Sequence, residues 1–177
     1  MPGDLSKGRV MAAIRNNIYR YRYPLMLIIW MLFIFILSTD LGSEPHTMGW
    51  TSKLIRYLFP DISAHGLKLA SKIIRKAAHV TEYAVMAFLL AGTLRSLFSI
   101  YGRKLAAGTV VICAAFAGLD EFHQGFAGTR TPLISDVFID ICGAALGVLI
   151  FTVWYSKVST YRIYSRARLR DNKPGRR

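Results

Sequence analysis

Four stretches of the chain, residues 23–38, 77–98, 105–122 and 137–155, are dominated by apolar side chains and are separated by segments rich in charge, Gly and Pro. The last three approach the ~20 residues that a helix needs to cross ~30 Å of hydrocarbon. The first is short, and local bilayer thinning or snorkelling by Arg20 and Arg22 would extend its reach, with Tyr19, Tyr21 and Tyr23 marking an interfacial belt. This first block ends in Ser38-Thr39-Asp40-Leu41-Gly42, without a small-x-small cleavage pattern, so it is expected to be a retained helix. The pattern predicts an all-α fold, an integral membrane bundle of four transmembrane helices.

Residues 39–75 carry a second pattern. Trp50, Leu54 and Leu58 recur at helical spacing opposite Ser52, Lys53 and Arg56, which predicts a short helix lying on the outer membrane surface. Pro60 ends it. Asp61 or Ser63 can cap a new helix that runs through Leu67, Ala70 and Ile74 and continues into the second span. The chain therefore divides into a basic cytoplasmic segment (1–23), a membrane domain (24–155) and a basic cytoplasmic tail (156–177).

Charge adds the orientation. The chain holds 23 Lys and Arg against 10 Asp and Glu, a formal net charge of +13. A nucleic-acid binder would need those cations along an exposed face with stacking aromatics or a recognisable module. Here they flank apolar blocks instead. With the N-terminus inside, residues 1–23, 95–104 and 157–177 hold most of the cations, and of the acids only Asp4 and Asp171. The positive-inside rule then selects cytoplasmic N- and C-termini. The basic tail is what stop-transfer and anionic inner-leaflet lipid favour. Cys113 and Cys142 lie in apolar stretches without metal-type spacing and read as small buried hydrophobes. No cofactor and no metal is expected.

The candidate chemistry lies in the ionisable groups that interrupt the second, third and fourth blocks, since lipid offers nothing to solvate them. Lys76, His79 and Tyr83 share one stripe of the second helix, with Glu82 beside His79. The third helix ends in Asp120, Glu121, His123 and Gln124; the first and the last two share a face, and Glu121 points about a quarter turn away. Arg130 is the one cation of the glycine-containing turn that follows, fitted to a neighbouring carboxylate or to a ligand carboxylate or phosphate. Asp136 and Asp140 lie one turn apart at the start of the fourth helix, with Gly143 and Gly147 on the same stripe allowing close approach of a neighbouring backbone. Asp136 suits a helix N-terminus, whereas Asp140 needs a partner such as His79, Arg130 or a bound cation. Each group has an ordinary structural reading, such as snorkelling, capping or an interhelical hydrogen bond. Their convergence at one depth predicts a water-accessible polar pocket.

The ordered set Lys76-x-x-His79-x-x-x-Tyr83, Asp120-Glu121-x-x-Gln124, Arg130 and Asp136-x-x-x-Asp140-x-x-Gly143 resembles the VanZ-like family, over about residues 24–155. The chain departs from that pattern at Asp140, where the family often carries Asn. The resemblance implies a bacterial integral membrane protein and, through the family's name, low-level resistance to the glycopeptide teicoplanin. It implies no reaction.

Three functions fit these residues. The first is binding of a polar or anionic head group, such as that of a lipid-linked wall precursor, by Lys76, His79, Glu82, Tyr83, Asp120, Glu121, Gln124, Arg130, Asp136 and Asp140. The partners are then membrane lipids. The second is an enzyme acting on such a lipid, with His79 or His123 as acid or base and Asp120 or Glu121 among the supporting carboxylates. The third is proton-coupled transport, although little but apolar sequence lies below Asp140 and Tyr83.

Overall fold

A computed structural model describes residues 3–37, 44–126 and 134–171, all of which lie in or between five helices. In chain order these are α1 (Gly3–Leu37), α2 (Glu44–Leu58), α3 (Ala64–Phe98), α4 (Gly102–Phe126) and α5 (Ile134–Asp171). Among the described residues there is no strand. Four of the helices, all but α2, are long and apolar enough to cross a membrane.

Three helices, α1, α3 and α5, far outrun their apolar blocks. At ~1.5 Å per residue, 35 residues reach ~50 Å, well beyond the hydrocarbon thickness. The excess in α3 lies before residue 77, where Lys68, Lys72 and Lys76 are exposed. Ser63 starts this helix in an extended backbone conformation, and its hydroxyl accepts a hydrogen bond from the Gly66 amide, fulfilling one of the two expected caps. α1 runs on through Pro24, a residue that membrane helices tolerate and soluble ones rarely do. The first part of the tail is likewise helical, as far as Asp171.

α3 is the central element, packed on α1, α4 and α5, while α4 and α5 also meet each other. The core is a layer of Leu27 and Ile34 from α1, Tyr83, Met86, Ala87 and Leu90 from α3, Cys113 and Ala117 from α4, and Ala144 and Val148 from α5. Below it Ala91, Leu105 and Phe151 form a second apolar layer. α1 meets α3 along Leu27, Trp30 and Ile34, one helical stripe, and the Trp30 indole donates a 2.9 Å hydrogen bond to the Glu82 carbonyl oxygen. Trp30→Phe should therefore cost about 1 kcal/mol, one side-chain-to-backbone hydrogen bond, in detergent unfolding measurements. No change would mean that the indole serves packing alone.

One detail differs from the sequence reading. Cys142 is exposed on α5, whereas Cys113 is buried as expected. The reason is the solvent: against lipid an apolar surface carries no cost, so an apolar setting in the sequence does not distinguish inside from outside. On α2 Ile55 is buried, while Leu54 and Leu58 are exposed. The Trp50 side chain lies outside the described set.

Candidate functional site

The register between α3 and α5 brings the polar residues together. These two helices run parallel, and Gly143 and Gly147 lie directly on the α3 backbone. A Cβ added at Gly143 would meet the Val80 carbonyl oxygen at 2.5 Å, and one at Gly147 would meet the Ala84 carbonyl carbon at 2.8 Å. Glycine spacing on one helix thus matches one turn of the other. One turn earlier on α5, the same register sets Asp140 opposite His79.

The two side chains are in hydrogen-bond contact, with His79 Nδ1 3.2 Å from Asp140 Oδ1. Among the described residues His79 is thus a partner of Asp140, as the sequence allowed; Arg130, another candidate, lies outside them. Asp140 is 2% exposed, the most deeply buried carboxylate of the molecule among the described residues. Asp136, in the first turn of α5, accepts a 3.3 Å hydrogen bond from the Ser135 hydroxyl and lies within electrostatic reach of both His79 and Asp140.

α4 supplies the other wall. Asp120 and Glu121 are both buried, at 8% exposure each. Glu121 is thereby drawn further into the bundle than its quarter-turn offset suggested. Asp120 lies close enough for its charge to act on Asp140 and on Tyr83, and Glu82 acts on His79 and Tyr83. The Tyr83 ring is fully buried beside Phe116, 6.5 Å between centroids, and its hydroxyl has no hydrogen-bond partner among the described residues. The same holds for His123 Nδ1, whose ring lies 4.8 Å from that of Phe35 on α1. Buried polar atoms without partners are uncommon, because each forgoes the hydrogen bonds it made with water.

The structure therefore joins His79, Glu82, Tyr83, Asp120, Asp136 and Asp140 into one cluster, with Glu121 and His123 buried or half-buried on the adjoining stretch of α4. Lys76 is exposed one turn above, and among the described residues no contact ties it to the carboxylates. Arg130 and the Gln124 side chain lie outside the described residues. Trp30 and Phe35 are contributions that the sequence reading missed. Their helix looks like a plain anchor, and the one available signal was the three- and four-residue spacing of Leu27, Trp30 and Ile34.

Chemically, the cluster offers acceptors in excess, one imidazole steered by a carboxylate, and a phenol and a second imidazole with hydrogen-bonding capacity to spare. Among the described residues, no three His, Cys, Asp or Glu side chains are grouped to hold a metal ion. A family model described as VanZ/LLP1 matches residues 24–155, well over half of the chain and every member of the cluster. No curated protein and no solved structure matches.

Proposed function

The chain belongs to the VanZ/LLP1 family, and from that premise we propose a bacterial cell-envelope protein whose polar cluster faces outward and binds the head group of a lipid-linked wall component. Binding there lowers susceptibility to glycopeptides such as teicoplanin, the effect that gives the family its name. The excess of Lys and Arg at the other end of the bundle supports cytoplasmic termini, and with them the outward placement of the cluster.

The observation that carries this reading is the buried Tyr83 hydroxyl, unpartnered beside the His79 and Asp140 pair. Polar groups in a membrane bundle are costly and mark functional positions. Carboxylates at Asp120, Glu121 and Asp140 accept hydrogen bonds from the hydroxyls and amides of a sugar-peptide head group. Tyr83 and His123 supply the matching donors or acceptors. Lys76 at the rim suits the phosphate that links such a group to its lipid, and Arg130 is by its chemistry a second candidate for it.

The test separates binding from folding. Tyr83→Phe removes the hydroxyl and keeps the ring, so the ligand-free protein should be as stable as the parent or slightly more so. Its affinity for a polyprenyl-linked sugar-peptide precursor in nanodiscs should fall about tenfold, one hydrogen bond's worth of ~1.4 kcal/mol. Unchanged affinity in Tyr83→Phe and Arg130→Ala together would end this reading.

The His79 and Asp140 contact also supports a second reading, an enzyme on the same lipid with His79 as a base that a carboxylate holds in place. Turnover of labelled precursor, lost in His79→Ala, would establish it. A transport path has less support. Beneath the cluster lie Met86, Leu90, Ala91, Val148 and Phe151, and the Thr93 and Thr109 hydroxyls there donate to carbonyls of their own helices at 2.9 and 2.7 Å.

A further inference from the structure

Above the polar cluster, residues 64–76 carry α3 beyond its apolar block. The helix is continuous from Ala64 to Phe98 and contains no Pro, the usual cause of a kink, so this stretch extends the axis of the span beneath it. The Ser63 cap fixes its start, the Ser71 hydroxyl donates to the Leu67 carbonyl oxygen at 2.9 Å, and α2 packs on the same helix.

Lys68, Lys72 and Lys76 follow one another at intervals of four residues, and all are exposed. Residues at that spacing differ by only ~40° around the helix, so the three form one ladder with rungs ~6 Å apart. Steps of three and then four residues carry the same stripe on to His79 and Tyr83. Arg75 is half-buried and engaged within the molecule, whereas none of the three lysines has an ion pair or hydrogen bond among the described residues. Acids are scarce here: residues 45–81 hold one, Asp61, against six Lys and Arg. Cations at this end oppose the positive-inside rule, so topology does not account for them.

The direction of the ladder selects the anion. Lys68 stands ~12 Å above Lys76 along the axis, and membrane helices lean by only about 20° from the bilayer normal. A plane of lipid head groups therefore meets one rung, because surface charge is screened within ~8 Å at physiological ionic strength. A chain that runs away from the membrane with an anion at each repeat meets all three. Lysine is a point charge suited to single phosphate oxygens, whereas two-pronged recognition of carboxylates favours Arg. Leu69 and Ile73, exposed on the adjoining stripe, offer an apolar margin to the short carbon segments that link the phosphates of such a chain.

We propose that the outer part of α3 is a binding surface for a linear phosphodiester polymer of the envelope, with successive phosphates on Lys76, Lys72 and Lys68. The ladder rests, as the cluster does under the proposed function, on this end facing outward; it does not rest on what the cluster binds.

The full chain in phosphatidylcholine nanodiscs would be titrated with linear polyphosphate and pulse-acetylated, with the modification of each lysine read by mass spectrometry. Reading residue by residue separates the ladder from the basic tail. Lys68, Lys72 and Lys76 should lose reactivity together, at one midpoint concentration. Lys68→Gln should raise the midpoint of the other two about threefold, the modest effect of one exposed charge contact. Separate midpoints, or no shift in Lys68→Gln, would overturn the shared ligand. Two further probes fix its class. Phosphatidylglycerol added to the nanodisc should protect Lys76 and leave Lys68 reactive; protection of all three by lipid alone overturns the polymer in favour of the bilayer surface. Poly-glutamate of equal charge should bind about threefold more weakly, and equal protection by it overturns phosphate as the recognised group. If the ladder fails while Tyr83→Phe still loses affinity for the lipid-linked precursor, the cluster stands without it.

Discussion

Gly147→Leu should separate α5 from α3 and cost the fold about 3 kcal/mol or more, the upper end of what overpacking does. The reason is what the new atoms would strike. A Cβ at residue 147 meets the carbonyl carbon of Ala84 at 2.8 Å, which is main chain and cannot rotate aside. Gly143→Ala meets the Val80 carbonyl oxygen at 2.5 Å and should be nearly as damaging. Gly108→Ala and Gly118→Ala supply the contrast, since nothing lies within 4 Å of either added Cβ. In a helix interior these two should gain up to ~1 kcal/mol. Reversible unfolding in mixed micelles, followed by tryptophan fluorescence, would rank the four. Parent-like stability in Gly147→Leu would refute the close α3 and α5 contact, and with it the register that places Asp140 on His79.

The second large effect concerns that pair, and it is asymmetric. His79→Ala strands a carboxylate whose side chain is 3% exposed, surrounded by further carboxylates at Asp120 and Asp136. Leaving such a charge uncompensated costs ~3–5 kcal/mol. Asp140→Ala instead strands an imidazole that is 13% exposed and able to exist uncharged, a loss nearer the ~1–3 kcal/mol of an unsatisfied neutral group. It also removes one negative charge from a crowded set. Asp140→Asn keeps a hydrogen-bonding partner for His79 and should be the mildest of the three. The double variant should be less unstable than the sum of the single ones, which a double-mutant cycle would read directly. If Asp140→Ala proved the more damaging single change, the neighbouring carboxylates would not be acting on this site as described.

Much of this arrangement is legible in the chain, because charge inside an apolar block has few physical explanations. The four long apolar helices, the Ser63 cap and the spacing of His79 and Tyr83 follow from periodicity and from the cost of stranding a charge in lipid. The partner of Asp140 stayed open among His79, Arg130 and a bound cation, because the register of α5 on α3 that sets it opposite His79 is a tertiary fact. What eluded the sequence is whatever depends on distinguishing protein from lipid. Leu27, Trp30 and Ile34 pack on α3 while Leu25, Ile28, Ile29 and Leu32 face outward, yet all are apolar. Cys142 was misjudged for the same reason. The stacking of Arg95 on two tyrosine rings was hidden differently: the rings come from residues 101 and 155, brought together by the turn after α3 and by the far end of α5, and no local repeat encodes that meeting.

The thin attachment of α1 bears on how the protein is made. Only 11% of the residues in its membrane-length window are fully buried in the bundle, so most of this helix is already suited to acyl chains on its own. Preceding α3 in the chain, it can enter the bilayer and wait there before any of α3 has been synthesised. The later helices are different, because α5 carries a carboxylate into the hydrocarbon and is accommodated only beside an imidazole that has arrived before it. The order of residues along the chain is therefore an order of assembly, in which the greasy helix leads and the helix with the buried acid comes last.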